Sequence, residues 1–321
     1  MNATRALGLF LMSMTVIPFG WADTTAPSAP DWTCLATESA FSPRDTAEGV
    51  VFKDAYWLSN GYYHGNVLHR DMWTSKDGVA WTQVSDATPY DGYSELVVYK
   101  DQIWAIKGSV WVSPDGVTWT EVLAKTPFGA RGYGEVVAYK DWIWQLGSGP
   151  DVCRTKDGKD WEKVTDVLPF GDRSATAVTV FQDKLWVLGG KTKGANTPPE
   201  QGYGDTTTWN DVWSSEDGVT WTEVTDHAGW PPRQWFGATV YRERLWVIGG
   251  YDNVNNTNLG DVWYSEDGKT WHAFTSATNF APRHEATIYV HDDSLRVVAG
   301  NTWPVVNDVW SLALAPGWPK K

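Results

Sequence analysis

The chain has 321 residues, including 23 tryptophans and two cysteines, and its formal net charge is −13. An acidic surface repels phosphate backbones, so nucleic acid is excluded as an expected partner, and anionic membranes are disfavoured. The length fits one large domain or two ordinary ones, so internal repeats must be sought before domains are counted.

The first residues have the pattern of a secretory signal peptide. Arg5 precedes an apolar run over residues 6–19, and Gly20 and Ala22 provide small residues near a cleavage point. We therefore expect a signal peptide over 1–22 that is cleaved near Ala22, a linker over 23–30, and a periplasmic or secreted protein. The apolar run is too short to span a bilayer, so no membrane insertion is expected.

Residues 31–313 repeat one unit six times. Five units contain an Asp-Gly turn between two aromatic positions, as in Trp213 and Trp221, and in the third unit Cys153 replaces the first of these tryptophans. Upstream of each turn lies an alternating apolar run with its own tight turn, such as 237–250. Such runs, bounded by Asp and Gly turns, predict four antiparallel strands in each unit.

The sixth unit ends without an Asp-Gly turn or a fourth strand. Residues 32–44 match 221–233 in their Trp-Thr start and Pro-Arg end. We therefore predict an all-β, six-bladed β-propeller with four-stranded blades, in which the N-terminal segment supplies the outer strand of the last blade. Residues 314–321 are predicted to form a tail. Cys34 and Cys153 then lie half the ring apart, so both are expected to be unpaired thiols.

These units resemble the kelch repeats of the galactose-oxidase-like superfamily. Each full unit has a start Arg, a second strand ending in Gly189-Gly190 or Gly249-Gly250, a "DVW" third strand and a Trp that opens the fourth. The Asp-Gly phrase is similar to a shortened sialidase Asp-box, which implies a structural turn remote from any active site. Kelch propellers include oxidases, epimerases and binding modules, so the resemblance implies a fold and not a reaction. No metal or cofactor is expected, and a galactose-oxidase-type copper site is disfavoured because both cysteines lie on repeat strands.

The connections between the second and third strands vary most in length, which places a ligand site on that face, at the mouth of the central channel. Asp91 opens the second unit, whereas the other units open with arginine: Arg44, Arg131, Arg173, Arg233 and Arg283. The remaining predicted ligand-binding residues lie one, two or four positions after the residue that opens each unit: Glu48, Glu95, Tyr133, Glu135, Trp235, His284 and Glu285.

In the functional interpretation, arginines grip a carboxylate, while glutamates bind hydroxyls or act as acid and base. Arg233 and Arg283 are the expected grip, so Arg233→Ala should weaken binding and leave the melting temperature nearly intact. The structural alternative is that Arg and Glu neutralise one another across blades. Small residues such as Gly237 leave room opposite the glutamates. Flat faces for a sugar are offered by four residues: Trp209, Trp230, Trp235 and Trp303.

Three functions remain open. The first is an exported ligand-binding or interaction module for a carbohydrate or a carboxylate-bearing small molecule. The second is a carbohydrate-active enzyme resembling the periplasmic kelch-type N-acetylneuraminate epimerase, without assigned catalytic residues. The third is a scaffold that binds protein partners through the long 189–210 loop. A monomer is expected in each case.

Overall fold

The computed structural model describes residues 30–63, 67–193 and 206–318. The predicted signal peptide, nearly all of the linker, part of the long 189–210 loop and the last three residues lie outside these ranges. The described residues form 24 strands in six separate four-stranded antiparallel sheets. This confirms the predicted six-bladed propeller.

The strands follow one another blade by blade, from the innermost strand outward. The first strand of the chain is β1 (Thr33–Ala36). Blade 1 consists of β2 (Glu48–Val51), β3 (Tyr56–Tyr63), β4 (Val67–Ser75) and β5 (Thr82–Ser85). Blade 2 consists of β6 (Glu95–Tyr99), β7 (Gln102–Ile106), β8 (Val110–Ser113) and β9 (Thr120–Leu123). Blade 3 consists of β10 (Glu135–Tyr139), β11 (Trp142–Leu146), β12 (Val152–Thr155) and β13 (Trp161–Thr165).

The second half of the ring repeats this order. Blade 4 consists of β14 (Ala177–Phe181), β15 (Lys184–Lys193), β16 (Thr206–Ser215) and β17 (Thr222–Thr225). Blade 5 consists of β18 (Gly237–Tyr241), β19 (Arg244–Asp252), β20 (Thr257–Ser265) and β21 (His272–Phe274). Blade 6 consists of β22 (Thr287–His291), β23 (Ser294–Asn301), β24 (Val305–Leu312) and β1. The six innermost strands contact one another in a closed cycle, β2–β6–β10–β14–β18–β22, around a central channel.

The Asp-Gly phrase joins neighbouring blades. Asp115 Oδ1 accepts hydrogen bonds from the backbone N–H groups of Val117 and Thr118, at 2.9 and 2.7 Å, which fixes the turn. Gly116 has φ 78°, and a Cβ there would lie 2.3 Å from the ring of Trp57 in the preceding blade. Only glycine fits this position. The repeated phrase is therefore a structural contact between blades.

The N-terminal segment closes the ring as predicted. β1 pairs antiparallel with β24, with Thr33 opposite Ser311 and Cys34 opposite Trp310. Trp32, just before β1, is buried against Phe280 in an edge-to-face contact with ring centroids 5.1 Å apart. Cys34 and Cys153 are both free, as predicted from the blade map.

The C-terminal residues differ from the predicted tail, because residues 314–318 pack onto blade 5. Leu314 is buried, and the Trp318 ring stacks on Trp246 with centroids 5.8 Å apart and planes at 28°. Between blades 4 and 5, the turn glycine Gly268 of blade 5 packs over the ring of Trp186 in blade 4. Blade 6 has no Asp-Gly turn, and Trp318 takes its place over Trp246. Within the described ranges, no helix has the length and hydrophobicity needed to cross a lipid bilayer.

Candidate functional site at the channel mouth

Five of the six units open with an arginine, and these start arginines lie inside the blades. Arg233 is 0% exposed, and its Nη1 and Nη2 each donate to a different carboxylate oxygen of Asp261 at 2.8 Å. The same guanidinium donates to the backbone carbonyls of Pro231 and Gly249, at 3.1 and 2.8 Å. Trp263 Nε1 donates to the same Asp261, at 2.7 Å. The whole triad belongs to one blade.

Three further blades repeat this arrangement. The pairs are Arg44–Asp71, Arg173–Asp211 and Arg283–Asp308. Arg131 forms a related pair with Asp151 and also donates to Gln145 at 2.7 Å. These geometries conflict with the predicted ligand grip of Arg44, Arg131, Arg173, Arg233 and Arg283. A guanidinium that is buried and already paired has no donor facing the channel, and the partner of each arginine is an aspartate of its own blade, not a channel glutamate.

Blade 2 departs from this arrangement. Its start residue is Asp91, an acid in place of arginine, and it accepts a hydrogen bond at 2.8 Å from Nζ of Lys107, which directly follows β7. Ser109 takes the position of the buried aspartate and accepts the bond from Trp111 Nε1 at 3.1 Å. The Asp91 side chain is 53% exposed, in contrast to the buried arginines. Blade 2 therefore lacks the buried ion pair.

The residues two positions after each start residue form the rim of the mouth. Five of the six have a left-handed backbone conformation: Thr46, Tyr133, Ala175, Trp235 and Glu285, with φ between 50° and 60°. Their backbones form an arc of hydrogen bonds from blade to blade, including Glu285 N–H to Trp235 O at 2.8 Å and Thr46 N–H to Glu285 O at 3.2 Å. Non-glycine residues in this conformation cost about 1–3 kcal/mol each and concentrate at functional sites.

The outer chamber of the mouth combines aromatic rings with polar groups. It has a volume of about 280 Å³ and lies above a narrower inner chamber of about 140 Å³, with which it shares Thr46, Tyr133, Trp235 and Glu285. Together the chambers lie within the roughly 300–1,000 Å³ that is typical of small-molecule sites. The outer chamber is lined by these residues: Asp45, Thr46, Tyr62, Tyr93, Tyr133, Trp235, His284, Glu285, Asn301 and Trp303.

An aromatic arc runs around one side of the outer chamber. Successive ring centroids lie 5.2–6.3 Å apart along a chain of five residues: Tyr93, Tyr133, Trp235, His284 and Trp303. His284 stacks on Trp235 and its Nδ1 bonds to Asn258 at 2.7 Å, while burial lowers the pKa of His284 to about 4. His284 is therefore neutral at physiological pH, and the arc has an uncharged surface.

Carboxyl groups occupy the side of the outer chamber formed by blades 1 and 6. Asn301 Nδ2 donates to Asp45 at 2.8 Å. The Thr46 hydroxyl bonds to Asp45 Oδ1 at 2.9 Å and also to Glu285 Oε2. A hydroxyl has only one hydrogen to donate, so the second bond requires a protonated carboxyl. Burial, reinforced by the charge of Asp45, raises the pKa of Glu285 to about 8, which agrees with a proton on this group.

Lys191, at the end of β15, faces the aromatic arc from blade 4. Its Nζ lies 4.3 Å from the centroid of the Trp235 ring and 5.6 Å from that of Tyr133. Burial lowers the pKa of Lys191 to about 8, although attraction to Glu285 opposes this shift. The mouth thus holds an amine and a carboxyl group that both titrate close to neutrality.

Three further glutamates line the inner chamber, in addition to Glu285. Glu48, Glu95 and Glu135 are the first residues of β2, β6 and β10, so they enter the channel from three adjacent blades at one level. Burial raises the pKa of all three, and mutual repulsion adds to this effect for Glu95 and Glu135. The predicted free space at Gly237 is not present, because the Ile288 side chain fills it.

The structure brings together in the two chambers seven of the predicted ligand-binding residues: Glu48, Glu95, Tyr133, Glu135, Trp235, His284 and Glu285. Trp303 is 63% exposed and lines the outer chamber, whereas Trp230 is buried in the core and Trp209 packs on Arg173.

The site residues predicted from the sequence did not include Asp45, Asn301 or Lys191. Asp45 directly follows a start Arg. Lys191 directly follows the double Gly of the fourth unit, and Asn301 follows Gly300 at the equivalent position of the sixth unit. At these two positions only some of the six units have polar side chains. The position of Asp45, for example, is glycine in the second and third units, Gly92 and Gly132. This difference between units could have identified the polar residues of the site.

One possible metal-binding cluster lies far from the mouth. Ligand atoms of Asp54, His291 and Asp292 come within 4.8 Å of one another. These residues belong to the turns between the first and second strands of blades 1 and 6, on the face opposite the mouth. The Asp54 side chain is 84% exposed, so the cluster has the character of surface ion pairs.

The raised pKa of Glu285 makes stability depend on pH. A carboxyl whose pKa is raised by folding stabilises the protein fully below its ordinary value of 4.5, and this contribution is lost as the pH rises through about 8. We expect Glu285→Gln to raise the melting temperature relative to the unsubstituted chain at about pH 8, with a much smaller difference near pH 5. Calorimetry across this range checks the prediction.

Glu121→Gln is the matched control for this prediction. It removes the same charge from an exposed position on the outer strand β9. Its effect on the melting temperature should be small at every pH. A Glu285→Gln difference that does not change with pH would contradict the prediction.

The comparisons with known proteins concern the whole propeller. The model of the DUF6242 beta propeller domain matches residues 26–311, which include all six blades. No curated protein matches the chain. The family match and the six closed blades agree on the architecture. The chain therefore belongs to the DUF6242 beta propeller domain family.

Proposed function

We propose that this protein is a carbohydrate-binding propeller whose site is the outer chamber of the channel mouth. The observation that supports this proposal is the combination, in one open chamber, of the aromatic arc on one side with Asp45 and Glu285 on the other. Buried start arginines disfavour the alternative ligand, a carboxylate-bearing molecule, because their charges are neutralised within the blades. The polar groups of the chamber therefore favour a ligand that is rich in hydroxyl groups over one that bears a carboxylate.

A sugar ring suits these two surfaces. Its C–H face packs on flat aromatic rings, and Tyr133 and Trp303 present such faces at the mouth with 37% and 63% exposure. Its hydroxyls need acceptors and donors around the ring edge, which Asp45, Glu285 and Asn301 provide. Few, well-placed polar groups in a largely apolar wall are typical of small-molecule sites.

The test is titration of the protein with a panel of neutral oligosaccharides by calorimetry and ligand-observed NMR. We expect Trp303→Ala to weaken the binding of the recognised sugar by about tenfold, since truncation of a central aromatic contact costs more than ~1 kcal/mol. Trp303 is exposed, so its removal should leave the melting temperature unchanged.

Trp209→Ala is the matched control for this test. Trp209 is also partly exposed and lies on β16, the third strand of blade 4, but it lines neither chamber. Its removal should leave sugar affinity unchanged. Equal losses in both variants, or no loss with Trp303→Ala, would contradict the assignment of the site to the mouth.

A second candidate is an enzyme that acts on carbohydrates. The observation that favours it is the pair of Lys191 and Glu285, whose pKa values both lie at about 8, the range in which a group can accept and donate protons. An epimerase would exchange a sugar C–H for deuterium in D₂O, whereas a binding module would not. Proton NMR of the bound sugar distinguishes the two.

Two finer aspects of the proposal come from sequence alone. The start Arg, the double Gly and the "DVW" strand support a divergent kelch-type propeller. The N-terminal pattern supports export to the periplasm or the medium. The protein-scaffold alternative depends on the 189–210 loop, of which 194–205 lie outside the described residues.

A further inference from the structure

The inner chamber is strongly acidic. Among its described lining residues are four glutamates, Glu48, Glu95, Glu135 and Glu285, and no lysine, arginine or histidine. Buried carboxylates normally pair with a cation or lose their charge by protonation. Within the described part of the chain, the lining of this chamber supplies no such cation.

Two polar atoms of the same chamber have no hydrogen-bond partner in the protein. The Thr176 hydroxyl belongs to a side chain that is only 3% exposed, and it lines the chamber without any bond. Glu285 Oε1 is likewise buried and unpartnered. Leaving such groups unsatisfied costs about 1–3 kcal/mol each, so they point to a polar group that enters the chamber from outside the protein.

The groups around the three strand-first glutamates include further carboxyls and a single amine. The titratable and charged groups that face the two chambers from the packed blades are Asp45, Glu48, Tyr62, Tyr93, Glu95, Tyr133, Glu135, Lys191, His284, Glu285 and Tyr289. Lys191 is the only cation in this set, and it lies over the Trp235 ring and attracts Glu285. Glu48 and Glu95 also hydrogen-bond to each other, and the raised pKa values of Glu48, Glu95 and Glu135 mean that this cluster costs stability as the pH rises and the carboxyls ionise. Such a cost is commonly retained where function needs the groups.

An ammonium group suits the chemistry of this chamber. Its N–H groups bond to carboxylates at about 2.7–2.9 Å. An ammonium has three donors, and the rings of Tyr133 and Trp235 at the entrance also attract cations.

We propose that the ligand of the mouth is an amino sugar, and that its protonated amino group enters the inner chamber and bonds to the glutamates that line it. The inference rests on the proposed carbohydrate function and adds the chemical class of the sugar. The ring lies on the aromatic arc, and the ammonium supplies the positive charge that the channel lacks.

The test compares three β-1,4-linked trisaccharides that differ at one substituent: the glucosamine trimer, its N-acetylated form and the glucose trimer. Titration calorimetry at about pH 6, where the amine is protonated, should show that the glucosamine trimer binds roughly tenfold or more tightly than the others. Because the ammonium favours ionised carboxylates, its binding should also release protons, measured as a dependence of the heat on the buffer. The glucose trimer should release none.

Glu95→Gln is the decisive variant, and Glu121→Gln is its control. Glu95 lies in the inner chamber, whereas Glu121 is exposed on the outer strand of the same blade, so the same Glu-to-Gln replacement is made inside and outside the proposed site. We expect Glu95→Gln to abolish the preference for the glucosamine trimer and the proton release, and Glu121→Gln to preserve both.

Other outcomes separate the two proposals. Equal binding of all three trimers would overturn the amino-sugar inference and leave carbohydrate binding intact. A preference that persists in Glu95→Gln and in Glu135→Gln would overturn the assignment to the inner chamber. Absence of binding by any trimer would contradict carbohydrate binding itself, and the inference with it.

Discussion

Replacement of Arg233 by alanine should lower the free energy of unfolding by about 2–3 kcal/mol, because it leaves the partly buried Asp261 without its buried partner. The expected loss follows from the geometry: the guanidinium is 0% exposed and bonds to both carboxylate oxygens and to two backbone carbonyls. This reverses the sequence-based prediction of intact stability and weakened ligand binding. Denaturant unfolding gives the measurement.

Lys107→Ala provides the control, since it breaks the ion pair of blade 2. Asp91 in that pair is 53% exposed, so the loss should be at most about 1 kcal/mol. A double-mutant cycle of Arg233 and Asp261 should show strong coupling, with the double variant less destabilised than the sum of the two single losses. Additive losses, or an Arg233→Ala variant as stable as Lys107→Ala, would show that the pair does not hold the blade.

Deletion of residues 31–36 should open the ring. It removes β1 and the buried Trp32, whose loss alone should cost about 3–5 kcal/mol. It also exposes the hydrogen-bonding edge of β24, which favours association of the opened molecules. We expect a large fall in melting temperature together with a shift to higher mass in size-exclusion chromatography.

The matched control for closure is Leu35→Ser, which changes an exposed side chain on β1 and leaves the strand in place. It should melt close to the unsubstituted chain and remain the same size. If the deletion variant behaved in the same way, pairing of β1 with β24 would not be what closes the ring.

The architecture could be predicted from sequence because its signals are local and repeated. Each Asp-Gly turn marks the hairpin between two strands, and the Trp-Thr match of residues 32–44 to 221–233 identifies the missing strand. Positions such as Glu48 and Glu95 could be placed at the channel because they share a fixed offset from the unit start.

The role of the start arginines could not be predicted in this way. A fixed offset indicates which blade position a residue occupies, but not whether its side chain turns toward the channel or into the blade. Arg233 turns into the blade because it pairs with Asp261. Asp261 begins a "DVW" tripeptide, which was interpreted from sequence only as part of the third strand. The Trp318 contact was missed for a similar reason, since it substitutes for a turn that the sixth unit does not contain.

Ring closure by β1 also has a kinetic consequence. Thr33 pairs with Ser311, so the strand that closes blade 6 is made before every other strand of the propeller and its partner β24 after them. Contacts between residues so distant in sequence slow folding, because the entropy of closing the intervening loop is lost before the contact is gained. Until β24 has been made, β1 has no partner strand. Blade 6 is then incomplete, so the apolar faces of blades 1 and 5 that pack against it are exposed. The nascent propeller is therefore exposed to aggregation until its final strand is complete.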